Sequence, residues 1–195
     1  GTLRVWDAQG MALGPPIGHY GFASVDAALR TAAYPNIAGE IRLGDLDSGR
    51  TFAQPLARTH QQHPQLARNG RFIATAEHDR TRLWATPSRG LLAPVMAHGV
   101  EDPRTLFVHF SATGDRLLSF GYADMTARLW DARTGRALGK PMTPINGIAH
   151  AAVSRQGKWV ATVSLQDFGR PNYQGVFLWD GETGESLPRK LPHYE

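Results

Sequence analysis

An all-β fold assembled from repeated four-stranded antiparallel sheets is what this 195-residue chain predicts, on three observations. A short extended segment recurs, ending in VWD at Val5–Asp7, LGD at Leu43–Asp45, LWA at Leu83–Ala85, and LWD at Leu129–Asp131 and Leu178–Asp180. Counted from Asp7, the matching positions 45, 85, 131 and 180 are spaced by 38, 40, 46 and 49 residues, and such a period is the mark of a repeat architecture. Turn formers are abundant, with 21 Gly and 13 Pro, and they separate short runs rich in β-forming residues.

Each unit is read as four strands, a to d. Strands a and b form a hairpin in LARNGRFIAT (66–75), FSATGDRLLS (110–119) and VSRQGKWVAT (153–162), with Gly70, Gly114 and Gly157 at the tip, where positive φ is cheap for glycine. Strand c ends in the Trp-Asp element. A turn follows, ending at Gly10, Gly49, Gly90, Gly135 or Gly184, and then strand d: MALGPPI, RTFAQPL, LLAPVMA, RALGKPM and ESLPRKL. A proline in a strand is tolerated where the N–H side is free, so strand d is expected at the edge of its sheet.

Composition narrows the function classes. The chain has no cysteine, which removes disulfides, thiolate metal sites and a cysteine nucleophile. No apolar run approaches the roughly 18 residues of a membrane span, and the start GTLRVWD has the form of no signal peptide. The net charge of +4 comes from arginines scattered along the chain, not from the dense basic run that nucleic acid would require. A cytoplasmic protein is expected.

Units of this length, with four strands and a Trp-Asp signature, resemble WD repeats, the blades of a β-propeller. The resemblance covers essentially the whole chain and is strongest at 98–142. It implies a half blade at 1–17 and blades at about 18–57, 58–97, 98–142 and 143–192, an open arc of about four and a half blades cut from a larger ring. It also implies a buried network of a loop His, a Ser or Thr on strand b, an Asp in the b-to-c turn and the Trp of strand c. Those positions match His98, Ser119, Asp124 and Trp130, and in the preceding unit His60, Thr75, Asp79 and Trp84. The unit before that keeps His19 and Thr31 but has Gly44 for Trp, and the last has Thr162 and Trp179. The wording of DARTGRALGKPM and ALGPPI is similar to bacterial WD-repeat tails of signalling proteins, and the remaining blades of a parent protein are among the implied partners.

No nucleophile elbow, phosphate loop or zinc-protease motif occurs, so neither an enzyme nor a cofactor is expected. His60 and His63, near His78 and Asp79, point to opposite faces if extended, and no metal is expected there. His109 and His150 fall on strands a as packed or channel-lining residues, and an enzyme or small-ligand binder working from that channel is the alternative function. WD-repeat propellers usually bind proteins or peptides where the d-to-a and b-to-c loops emerge. By repeat position that face holds Tyr20, Tyr34, Asn36, His78, Arg80, Tyr122, Met125, Phe168, Arg170 and Tyr173. The segment SLQDFGRPNYQG (164–175) is an insertion relative to FGYADM of the preceding unit, placed where binding residues tend to be grafted. The function expected is a non-catalytic interaction scaffold.

Overall fold

The computed structural model describes residues 1–28, 30–52, 56–58, 64–77, 80–86, 96–97, 106–121, 125–145, 147–164, 175–188 and 191–192. Among these residues there is no helix. A two-stranded ribbon pairs β1 (Thr2–Leu3) with β2 (Ile17–Gly18). Four antiparallel four-stranded sheets follow, each in simple sequence order. The first holds β3 (Ser24–Val25), β4 (Thr31–Pro35), β5 (Glu40–Asp45) and β6 (Ala57–Arg58). The second holds β7 (Gln65–Leu66), β8 (Phe72–Glu77), β9 (Arg80–Ala85) and β10 (Met96–Ala97). The third holds β11 (Leu106–Phe110), β12 (Arg116–Gly121), β13 (Ala127–Asp131) and β14 (Ala137–Met142). The fourth holds β15 (Ile148–Val153), β16 (Trp159–Ser164), β17 (Gly175–Asp180) and β18 (Leu191–Pro192).

The fourth strand of every sheet is an edge, as its prolines require: Pro141 lies in β14 and Pro192 in β18, each bonded to one neighbour only. The hairpin glycines have left-handed backbone, with φ of 68° at Gly70, 76° at Gly114 and 80° at Gly157. At this end of each sheet a second bond ties the c-to-d turn to the a-to-b turn. Leu46 N–H donates to Arg30 C=O at 2.8 Å, Thr86 to Arg71 at 3.0 Å, Ala132 to Asp115 at 2.9 Å and Gly181 to Lys158 at 2.8 Å.

Central strands carry consecutive apolar residues because they are covered on both faces. In β12, Leu117 joins a cluster with Ala74 and Leu83 of the preceding sheet, while Leu118 and Phe120 join Ile148 and Val160 of the following one. Ala33, Leu43 and Ile41 pack with Leu66 and Ile73 in the same way, and Ile17 of the ribbon with Ala32 and Tyr34. Each cluster is thus shared between two successive sheets, and each fully buried Leu or Ile in it contributes about 1.5–3 kcal/mol.

Strand a of each sheet lies beside that of the next: β3 by β7, β7 by β11, β11 by β15. Leu66 N–H donates to Ser24 Oγ at 2.9 Å across the first of these junctions. The a-to-b turns are linked similarly, by Ala27 N–H to Arg68 C=O at 2.8 Å, Asn69 Nδ2 to Thr113 C=O at 2.7 Å, and Thr113 N–H to Arg155 C=O at 3.2 Å.

The ALG-x-P wording has a packing cause. A Cβ on Gly139 would collide with the backbone of Thr183 and Gly184 in the next sheet's c-to-d turn, and one on Gly14 with the Leu46 carbonyl in the equivalent turn. In these two units strand d therefore carries glycine where the neighbouring turn lies against it.

Candidate functional site

The signature Trp is a buried donor that needs a buried acceptor. Trp130 Nε1 donates to Ser119 Oγ at 2.7 Å, Trp179 Nε1 to Thr162 Oγ1 at 2.9 Å, and Trp84 Nε1 to Thr75 Oγ1 at 3.3 Å. The other expected members, His98, Asp124, His60 and Asp79, lie outside the described residues.

The first four-stranded sheet corrects two expectations. Tyr34, expected on a partner face, is 2% exposed and belongs to the core. Its register explains why: Tyr34 pairs with Arg42 as Ser119 pairs with Arg128, so Tyr34, and not Thr31, occupies the Ser/Thr position. Gly44 stands where the others have Trp, and a Cβ there would sit 3.0 Å from Tyr34 Cε1 and 2.8 Å from Ile17 Cδ1. The Tyr34 ring occupies the space of the absent indole, and its hydroxyl pairs with Thr51 Oγ1 at 2.7 Å.

The Asp of Trp-Asp is a turn acid. Asp131 Oδ1 accepts from Arg133 N–H, Thr134 N–H and Thr134 Oγ1, each at 3.0 Å. Asp180 accepts from Glu182 N–H and Thr183 N–H at 2.9 Å, and Asp45 from Ser48 N–H at 2.8 Å. The Ser48 N–H and hydroxyl hold the Asp45 carboxyl below its ordinary value, and the Thr183 N–H does the same for Asp180. At Asp131 partial burial pushes upward, but the Thr134 hydroxyl and N–H, the Arg133 N–H and the Arg116 guanidinium outweigh it and the net direction is down.

The opposite end of the sheets, where b-to-c and d-to-a connections emerge, has a different surface. Among the described residues ten large hydrophobic side chains are exposed, and five of them lie in these connections: Tyr20, Phe22, Ile37, Met125 and Ile145. Tyr20 and Met125 are among the residues named from the sequence. Asn36 is half-buried and organises its turn, its Oδ1 accepting from Ala38 N–H at 2.9 Å and Glu40 N–H at 3.0 Å while Nδ2 donates to Glu40 Oε2 at 3.0 Å. That turn presents Ile37 instead, 93% exposed. Phe22, Ile37 and Ile145 were missed because their neighbours look like ordinary turns; the available signal is a large apolar residue in a loop with no core to enter. Met125 is the one described non-glycine residue with left-handed backbone, φ 54°. His78, Tyr122, Phe168, Arg170 and Tyr173 lie outside the described residues, and Arg80 is placed by its backbone alone, as the first residue of β9. The 164–175 segment is described at its ends, where Gly175 N–H donates to Ser164 Oγ at 3.2 Å.

Along strands a, His109 of β11 lies near His150 of β15, and Phe107 and His109 both lie against Phe120. The His109 ring stacks on Phe120 at 5.8 Å between centroids. This enclosure, and the His150 imidazole, hold the His109 pKa below its usual value. Among the described residues no three His, Asp or Glu come close enough to hold a metal ion, and no helix is long and apolar enough to cross a membrane. No family model matches the chain, and no curated protein matches it significantly.

Proposed function

We propose that the chain is an arc of a WD-repeat-type β-propeller acting as a non-catalytic scaffold, holding a protein or peptide partner on the end where the b-to-c and d-to-a loops emerge. The shared cores between successive sheets and the side-by-side strands a support the propeller reading. The observation that carries the functional reading is that Tyr20, Phe22, Ile37, Met125 and Ile145, on connections at one end of the sheets, are all exposed. Large apolar side chains held out on loops are available to a partner, and aromatic and Met side chains are enriched in interfaces. Ser164 and Gly175, between which the inserted segment runs in the sequence, lie at the same end of β16 and β17.

Selection of a displayed random-peptide library on the immobilised chain, followed by calorimetry on the selected peptides, tests this reading. Phe22→Ser or Ile37→Ser should weaken binding by about 30-fold if either is a hot spot worth about 2 kcal/mol. Arg133→Ala, at the opposite end, should leave binding unchanged. Peptides that bind the two loop variants as tightly as the parent chain would refute the assignment of the face.

A further inference from the structure

Asparagine is followed by glycine twice in the sequence, at 69–70 and at 146–147, and the first pair forms the tip of the hairpin between β7 and β8. Asparagine is a thermally labile residue. The backbone nitrogen of the residue after it can attack the side-chain carbonyl carbon, and glycine has no Cβ to obstruct that close approach. In the fold the 69–70 pair is held by three hydrogen bonds. Asn69 Oδ1 accepts from Arg71 N–H at 3.0 Å, Asn69 Nδ2 donates to Thr113 C=O in the next sheet's hairpin at 2.7 Å, and Gly70 N–H donates to Ala67 C=O at 2.8 Å. The carboxamide rests on Gly114, where a Cβ would collide with Asn69 Nδ2.

We propose that Asn69 is a site of spontaneous deamidation that the junction between the second and third sheets holds shut. In the reaction Gly70 N bonds to Asn69 Cγ and gives up its proton, the Cγ–Nδ2 bond breaks, and the side-chain nitrogen departs as ammonia, leaving a five-membered succinimide. Water then opens the ring at either carbonyl, to aspartate or to isoaspartate, and no other reactant is needed. Each of the three bonds opposes closure. Gly70 N–H must leave Ala67, the carboxamide must turn away from Arg71, and Nδ2, which has to gain a proton in order to leave, faces only an acceptor in Thr113 C=O. The reaction therefore follows local opening of the junction.

The product prevents the junction from closing as before. An oxygen replaces the donor that faced Thr113 C=O, the Asn69 link between the two hairpins is lost, and a new negative charge stands near the Asp26 carboxylate, which lies against Gly70. Since the ammonia is not regained, the junction keeps a record of the time it has spent open. The site lies at the turn end of the sheets and is independent of the partner proposed for the loop end.

Peptide mapping by mass spectrometry tests this on the parent chain, aged at mildly alkaline pH in buffer and in concentrated guanidinium chloride. In denaturant Asn69 and Asn146 should both deamidate. In buffer the rate at Asn69 should be lower than in denaturant by about tenfold or more, as at other protected sites that react through local opening. Asn69→Asp, which makes the product directly, should melt about 2–4 °C below the parent, the shift expected for losing one such bond in a chain of this size. Equal rates at Asn69 in buffer and denaturant, no reaction there in denaturant, or an Asn69→Asp variant that melts with the parent would each overturn the proposal.

Discussion

At the scale of single residues, the Trp-to-hydroxyl pairs are the polar pins of an otherwise apolar interior. Ser119→Ala removes the acceptor 2.7 Å from the Trp130 indole nitrogen, and the buried donor left behind should cost about 1–3 kcal/mol in urea unfolding. These pairs were expected from the resemblance to WD repeats, and their physical reason is that a buried indole N–H must find an acceptor. Tyr34 could not be read that way: Gly44 looks like the loss of a Trp until the register shows that a ring from the neighbouring strand fills its place. Tyr34→Thr should therefore cost about 3 kcal/mol, as large-to-small changes in cores do, and adding Gly44→Trp should recover part of that loss. Purely additive effects of the two changes would contradict the exchange. Met125 gives a different prediction. Relief of its left-handed backbone by Met125→Gly should raise stability by about 0.5–1 kcal/mol while weakening peptide binding, since the exposed side chain goes with it.

At the scale of elements, the c-to-d turns are built on ionised carboxylates. Asp45, Asp131 and Asp180 all have their pKa lowered in the folded chain. A folded pKa below the unfolded value of about 3.9 gives stability that is fully present above that pH and is lost as the pH falls through the folded pKa. The melting-temperature advantage of the parent chain over an Asp131→Asn, Asp180→Asn double variant should hold at neutral pH and shrink below about pH 3.9. A difference independent of pH would mean that the turns do not depend on the charge. Hairpin and turn glycines were legible because their need is local, a positive φ at a tip. Gly14 and Gly139 were visible only as a recurring phrase, because their reason is a turn in the next sheet, 32 residues on at Leu46 and 44 residues on at Thr183. Gly14→Ala, which carries no φ penalty, should destabilise by about 1–3 kcal/mol through overpacking alone.

At the scale of the whole molecule, the repeat period, the four-strand units and the edge position of strand d could all be read from the sequence, because each follows from alternation, turn chemistry and proline. The end proposed to hold a partner was read only in part: repeat position located the loops, but which side chain leaves the surface depends on local turn geometry, as Asn36 and Ile37 illustrate. The fold rests on successive sheets standing side by side in chain order. The absence of native cysteine makes this directly measurable with paired cysteine substitutions and a short thiol–thiol crosslinker, scored by mass spectrometry. Asn69→Cys with Thr113→Cys, in the a-to-b turns of adjacent sheets, should crosslink within one chain in high yield, whereas Asn69→Cys with Arg155→Cys, two sheets apart, should not. Equal yields for the two pairs, or crosslinking of the distant pair alone, would contradict the arrangement.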